Sequence, residues 1–131
     1  MEHVLNNLVT LICGLVSGFI LFQSAIVAPT IFSTMAEDQA GPFLRSLFPK
    51  LFKLCAFLMS VNLFVALYIS NIAPAIGFFV GIILMVICLL IVPKINTARD
   101  HDNQLTFKRL HLATVLSTVT VLLINLWFSL F

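Results

Sequence analysis

Four long stretches of the sequence contain almost no charge, and this feature limits the chain to very few folds. They cover residues 4–28, 51–69, 74–92 and 110–131, and Lys53 is the only charged side chain within them. A helix needs about 20 apolar residues to cross the roughly 30 Å hydrocarbon layer of a membrane. Helices also satisfy their own backbone hydrogen bonds where no water is available. The pattern therefore predicts four membrane-spanning helices.

The overall composition agrees with this prediction and leaves no room for a separate soluble domain. The 131 residues are 61% hydrophobic and only 9% charged, whereas a soluble domain has roughly 25% charged residues. A soluble protein with a large buried core is the alternative. We predict a single integral membrane domain, residues 1–131, with an all-α fold: a four-helix transmembrane bundle.

The basic residues predict how the bundle is oriented. All seven lie beside the two long connections, at Arg45, Lys50, Lys53, Lys94, Arg99, Lys108 and Arg109. By the positive-inside rule both connections face the cytoplasm and both termini face outward. We predict a multi-pass protein of the cell inner (plasma) membrane, and the very short loops favour a bacterial origin. The basic residues form no nucleic-acid surface, so the predicted partner is the lipid bilayer.

The stretch "QAGPFLRSLFPKLFK" carries apolar side chains on one half of a helical wheel and basic or polar ones on the other. Gly41 can end the first helix, and Pro42 suits the first turn of a new one. We therefore predict a short interfacial amphipathic helix between spans 1 and 2. An alternative interpretation is that Arg45 and Lys50 hold an anionic ligand.

Small residues mark two faces where helices can approach closely. In the first span an arc of small and polar residues comprises Asn7, Thr10, Gly14, Gly18 and Ala25. This arc predicts that the first span faces other helices and not lipid. Gly14 with Gly18, and Gly77 with Gly81 in the third span, have the G-x-x-x-G spacing. Both pairs are candidates for packing within the bundle, or for contact with a second copy or another membrane protein.

The fourth span carries a polar stripe. His111, Thr114, Thr118 and Asn125 lie within roughly 60° of one another on the helical wheel. Polar groups at such depth should face the interior of the bundle and find partners there. The stripe either ties helices together or lines a small binding cavity that opens on the cytoplasmic side.

The three cysteines offer a second hypothesis. Cys55 and Met59 are spaced i, i+4, Met85 and Cys88 are spaced i, i+3, and His111 lies somewhat nearer the surface. Soft ligands of this kind can hold copper(I), and a single axial haem ligand is a further alternative. The rival functional class is therefore a metal- or haem-handling redox protein that uses Cys55, Cys88 and His111. Plain apolar packing is the ordinary role of buried cysteines.

No motif in the sequence assembles the parts of an enzyme. There is no nucleophile beside a base, no phosphate-binding glycine loop and no metalloprotease helix. We predict a non-enzymatic protein without a cofactor that acts in transport, as a scaffold or as a subunit.

Five segments, taken in order, resemble one known family. They are "VSGFILF" (16–22), "APTIF" (28–32), "AGPFLRSLFPKLF" (40–52), "VPKINTARD" (92–100) and "FKRLH" (107–111). They are similar to the transmembrane-protein-205-like family, small four-span membrane proteins with a domain of unknown function. The resemblance implies a multi-pass membrane protein. In the family pattern a serine and an asparagine stand where this chain has Thr114 and Thr118.

The segments that carry the resemblance also extend the candidate site. The resemblance adds Asn96, Arg99 and Asp100 to the polar stripe, and Arg45 joins them from the first connection. The candidate polar interior or cytoplasmic-face site thus comprises His111, Thr114, Thr118, Asn96, Arg99, Asp100 and Arg45.

Overall fold

The structure, a computed structural model that describes residues 1–131, consists of helices joined by very short turns. The helices are α1 (Glu2–Phe22), α2 (Ala28–Thr34), α3 (Glu37–Tyr68), α4 (Ile72–Asp100) and α5 (Gln104–Leu130). A π-helical turn, Gln23–Val27, joins α1 to α2. Residues Glu2–Thr34 thus form one continuous helical rod, and this rod, α3, α4 and α5 are each long and apolar enough to cross a membrane. The predicted all-α, four-helix bundle is confirmed.

The four long helices pack in a square in which neighbours in sequence are neighbours in space. Helix α1 lies against α3 and α5, and α4 lies against the same two helices, so α1 and α4 occupy opposite corners. Connections of two or three residues force each helix to turn back beside the one before it. The bundle is therefore antiparallel throughout.

The outside of the bundle is as apolar as its inside. Only 24 of the 131 residues are buried, while large hydrophobic side chains such as Phe64, Leu90 and Leu123 are well exposed. A monomeric soluble protein rarely exposes extended apolar surface. Since Lys53 is the only charged residue in the long apolar segments, lipid is the solvent that suits this surface. The fold is that of a multi-pass membrane protein.

The amphipathic stretch before the second span is helical, but it is not a separate helix. The first rod ends at Thr34, the backbone is extended at Ala36, and α3 then runs without a break from Glu37. Glu37 and Asp38 explain this start, because acidic side chains stabilise the positive amino end of a helix. Gly41 therefore lies inside α3 and does not end the first helix as we had predicted.

Part of the apolar face of this stretch packs inward, while Phe43 stays exposed. Leu44 forms a small buried cluster with Ile31 and Ala40 at the turn between α2 and α3. Further along the helix, Phe52 is buried and lies in the main core, with the ring of Phe48 tilted against it at 6.0 Å between centroids. These contacts hold the beginning of α3 against α2, which is why the stretch continues directly into the second span.

The π-helical turn in the first rod has a local cause. The backbone N–H of Ala28 donates to the carbonyl oxygen of Gln23, five residues back, in place of the usual four. Pro29 follows directly, and a proline lacks the N–H that would continue the α-helical pattern and clashes with the carbonyl four residues earlier. The wider turn relieves this clash and lets the rod continue.

The two glycine pairs have different surroundings. A Cβ atom added to Gly81 would lie 2.6 Å from Sδ of Met59, and one added to Gly77 would collide with the ring of Phe128. At Gly14 and Gly18 an added Cβ would meet nothing within 4 Å. Gly77 and Gly81 are therefore used for packing inside the bundle and are not available to a partner, whereas Gly14 and Gly18 lie on a free face.

This difference predicts how substitutions affect stability. We expect Gly81→Val to lower the free energy of unfolding by about 1–3 kcal/mol, the usual cost of overpacking. The matched variant Gly18→Val should change it by only about 0.5 kcal/mol, because its side chain enters open space. Thermal unfolding of dilute protein in detergent measures both values. Equal losses for the two variants would contradict the assigned packing.

Candidate functional site

Two fully buried asparagines form the polar interior of the bundle. Asn62, on α3, donates a hydrogen bond from Nδ2 to the backbone carbonyl of Val9 on α1 at 3.2 Å, and the same nitrogen lies 3.3 Å from Sγ of Cys13. Asn62 therefore ties the second span to the first. Its Oδ1 atom has no hydrogen-bond partner within the protein.

Asn125, on α5, is the second interior amide. Its Nδ2 donates to the carbonyl of Val121 at 2.8 Å and lies 3.5 Å from Sδ of Met59 on α3. The contact with Met59 crosses the diagonal of the square, and the missing side chain of Gly81 leaves the space that Met59 occupies. Like Asn62, Asn125 has an unpaired Oδ1. These two amide oxygens are among four buried side-chain polar atoms that have no partner within the protein, whereas nearly all buried polar groups are normally paired.

The threonines of the polar stripe bond within their own helix. The hydroxyl of Thr114 donates to the carbonyl of His111 at 2.8 Å, and the hydroxyl of Thr118 donates to the carbonyl of Thr114 at 2.7 Å. Sγ of Cys88, on α4, lies 3.9 Å from the same Thr114 carbonyl. Thr114 is buried and Thr118 is half-buried, so both lie where the stripe predicted. Their hydroxyl donors are nevertheless already satisfied.

His111 does not belong to the interior. It is exposed, and its ring stacks on Phe107, one turn earlier, with 5.8 Å between centroids and an angle of 3° between planes. The guanidinium of Arg99 lies 5.7 Å from the centroid of the same Phe107 ring. His111 lies about 60° around the helix from the buried Thr114. This offset brings its side chain to the surface, where it contacts Phe107. Our prediction of an interior histidine was wrong.

Arg45 and Asp100 form the one ion pair in the structure, and it joins α3 to α4. Both guanidinium nitrogens take part: Nη1 donates to Oδ2 at 3.1 Å, and Nη2 donates to Oδ1. The hydrogen bond from Arg45 lowers the pKa of the Asp100 carboxyl below its usual range. The pair is partly exposed to solvent and lies at the end of the bundle that carries all seven Lys and Arg residues, which we call the basic end.

The seven predicted site residues therefore fall into separate groups. Arg45 pairs with Asp100, and Arg99 and His111 meet through Phe107. Thr114 and Thr118 lie deeper in the bundle. The seventh residue, Asn96, is half-buried and makes no side-chain hydrogen bond. The structure does not bring them into one site.

The hypothesis of a metal or haem site requires Cys55, Cys88 and His111 to lie close together. Cys55 and Cys88 are fully buried in one cluster with Met59 and Met85, whereas His111 is on the surface. No group of three or more His, Cys, Asp or Glu side chains is arranged to hold a metal ion. The structure thus separates the histidine from the two cysteines that the hypothesis combined it with.

Two cavities lie at opposite ends of the bundle, and neither coincides with the site predicted from the sequence. At the basic end, a groove of about 620 Å³ separates the end of α4 from the beginning of α5, and Lys94 and His101 are among its lining residues. At the other end, a cavity of about 680 Å³ is lined in part by Asn6, Asn71 and Trp127. The second cavity combines residues from distant parts of the sequence, so no local pattern indicates it. The groove is lined by residues 93–110 alone and forms only because the chain turns between α4 and α5.

Comparison with known proteins places the chain in an uncharacterised group. Residues 11–95, well over half of the chain, match a family model described as "Domain of unknown function (DUF4149)". An uncharacterized protein of Aquifex aeolicus (strain VF5) is 26% identical over 105 residues, which are 80% of this chain and 79% of that protein. No solved structure matches the chain significantly. The matched region includes Asn62 and both glycine pairs but not α5.

The ion pair at the basic end predicts a pH-dependent coupling. Because the pKa of Asp100 is lowered from its ordinary value of 3.8, the pair stabilises the fold above that value, and this contribution is lost as the pH falls through the lowered pKa. We expect Arg45→Ala to reduce thermal stability slightly at about pH 6 and to have no effect once Asp100 is protonated.

The exchanged pair Arg45→Asp with Asp100→Arg supplies the control. It should recover most of the stability that either single charge reversal loses, because the attraction survives when the charges trade places. Unfolding temperatures at neutral and acidic pH measure the effect. A loss for Arg45→Ala that is independent of pH would show that the arginine acts through packing instead.

Proposed function

We propose a non-enzymatic role for this chain, which belongs to the family of the domain of unknown function DUF4149: it is a small membrane subunit that pairs with a second copy through its first helix. One observation carries the proposal. The same glycine spacing occurs twice in the chain, and only one of the two pairs is filled by neighbouring side chains.

The unfilled pair belongs to a continuous face of α1 and the π-helical turn that follows it. This glycine face consists of exposed small and polar residues at Asn7, Thr10, Gly14, Gly18 and Ala25. They are the residues for which the sequence predicted contact with other helices, yet α1 packs against α3 and α5 through its other sides. In a single copy the face has no neighbour.

Physical considerations favour a helix as that neighbour. Lipid tails are as apolar as leucine, so helices in a membrane associate through close packing and interhelical hydrogen bonds, and glycines let two backbones approach. The glycine face carries no charge, so two copies meet without repulsion. A two-fold axis along the face would bring Gly14 and Gly18 of one copy against those of the other. The face is therefore suited to self-association.

The interior supports a structural role for the polar residues. Asn62 and Asn125 are fully buried within packed clusters, and Asn62 bonds directly from α3 to α1. Such contacts hold α1 in place and present its glycine face outward. We therefore favour a subunit or scaffold over a transporter.

The positions of the reactive side chains support a non-enzymatic role. All three histidines are exposed, and all three cysteines are buried and free. A thiol and an imidazole therefore do not share a site in which one could activate the other. This arrangement also weighs against the rival hypothesis of a redox protein built on Cys55, Cys88 and His111.

We also propose a finer family assignment for the chain and an orientation in the membrane. The ordered segments described above support a place among the transmembrane-protein-205-like proteins. The seven basic residues at one end support a basic end in the cytoplasm and termini outside. The short turns support the inner membrane of a bacterium.

Substitution on the glycine face tests the pairing. We expect Gly14→Leu to weaken self-association by about tenfold, because the added side chain holds the two backbones apart. Energy transfer between donor- and acceptor-labelled copies in proteoliposomes measures the association. The control Thr120→Leu places the same side chain on an exposed position of α5 and should have little effect. If the unsubstituted protein shows no transfer, or both variants behave alike, pairing through this face is wrong.

Cysteine labelling tests the orientation. We expect single cysteines at Ser33 and Gln104, near the basic end, to be shielded from an impermeant thiol reagent outside intact cells, and one at Asn71 to react. All three positions are exposed and the native cysteines are buried, so labelling reports the side of the membrane. The reverse pattern would place the basic end outside.

A further inference from the structure

The groove at the basic end has the features of a binding site for a phosphate-bearing group. It runs between the end of α4 and the beginning of α5, with a volume of about 620 Å³. The lining residues that matter here are Pro93, Lys94, His101, Asn103, Thr106 and Leu110. They combine one cation, several polar side chains and an apolar wall.

Several hydrogen-bond donors in the groove have no acceptor in the protein. Lys94 makes no ion pair. The side-chain oxygen of Asn103 accepts from the backbone N–H of Thr106 at 3.2 Å and thereby caps α5, while no acceptor meets the side-chain nitrogen of Asn103 or the hydroxyl of Thr106. The positive end of the α5 dipole points the same way. One cation and unpaired donors thus belong to residues that line the groove, and these groups favour an anion.

The other charged or ionisable side chains near the groove do not oppose its preference for an anion. His101 is held by its Nδ1 atom, 2.9 Å from the carbonyl oxygen of Thr97, which leaves Nε2 free. Asp100 is already engaged by Arg45 on the α3 side. Asp102, in the turn between α4 and α5, does not line the groove.

The position of the groove relative to the membrane selects the kind of anion. Pro93 and Leu110 stand at the boundaries of the apolar segments 74–92 and 110–131, so the groove begins where the hydrocarbon layer ends. From Lys94 to His101 the helix rises about 10 Å, comparable with the headgroup layer of about 5–8 Å on each side of a membrane. The wall is formed mainly by carbon atoms. A phospholipid fits both features, because its headgroup matches the height of the groove and its acyl chains suit the apolar wall.

We propose that this groove binds the phosphate of an anionic phospholipid, with Lys94 as the counter-ion and Asn103 and Thr106 as hydrogen-bond donors. The acyl chains of the bound lipid extend past Pro93 and Leu110 into the bilayer. Basic pockets between helix ends on the cytoplasmic side are suited to such headgroups. The site is independent of the glycine face, which lies on α1, so either proposal can fail without the other.

Native mass spectrometry of the full-length protein in detergent tests the site. The protein is incubated with equal amounts of phosphatidylglycerol and phosphatidylcholine, and the bound lipid is counted. We expect one phosphatidylglycerol to be retained in preference, and Lys94→Gln to reduce its retention about fivefold. The control Lys108→Gln removes the same charge from an exposed position of α5 outside the groove and should leave retention within about twofold. Because Lys94 is exposed, its substitution should not disturb folding, which a melting curve checks.

Three results would overturn the proposal. The first is equal binding of the two lipids by the unsubstituted protein. The second is an equal loss for Lys94→Gln and Lys108→Gln, which indicates diffuse attraction to the basic end instead of a defined groove. The third is displacement of the lipid by millimolar inorganic phosphate, but not by chloride at the same ionic strength, which identifies a soluble phosphate as the ligand.

Discussion

The close approach of α4 to its neighbours at Gly81 is the constraint on which the bundle depends. Within lipid, apolar burial contributes little to holding helices together, so stability comes from dense packing and a few polar contacts. Sδ of Met59 occupies the space beside Gly81 and reaches Asn125 on the opposite corner of the square. One small residue thus lets α3, α4 and α5 meet at a point. Asn62 then attaches α1 through the carbonyl of Val9.

Some parts of the structure follow directly from the sequence. The four spans do, because a run of about 20 residues with at most one charge has few stable alternatives. The burial of Thr114 and Asn125 also follows from helical periodicity. His111 shows the limit of that reasoning: a helical wheel gives the direction of a side chain but not which neighbour is there. At the beginning of α3, Gly41 and Pro42 predict a break, whereas the acidic pair Glu37 and Asp38 stabilises a helix start before them.

Other features depend on contacts that no local pattern contains. Arg45 and Asp100 are 55 residues apart in sequence, and both were candidates without any indication that they pair. The two glycine pairs have identical spacing, yet only the folded chain distinguishes Gly81, which is packed, from Gly14, which is free. At the end of α4, Asp100 turns to α3, Arg99 to α5 and Lys94 to the groove. These directions come from how the helices are arranged around α4.

The lengths of the helices make the molecule asymmetric along the membrane normal. Helix α3 has 32 residues and is about 48 Å long at 1.5 Å per residue, well beyond the roughly 30 Å hydrocarbon layer. At the other end the three-residue turn between α3 and α4 carries no charge and can lie close to the bilayer surface. Most of the excess length therefore projects at the basic end, as a short helical stub standing clear of the lipid. A water-soluble protein that approaches from that side meets the flanks of helices, whereas on the other side the connection between α3 and α4 offers only a tight turn.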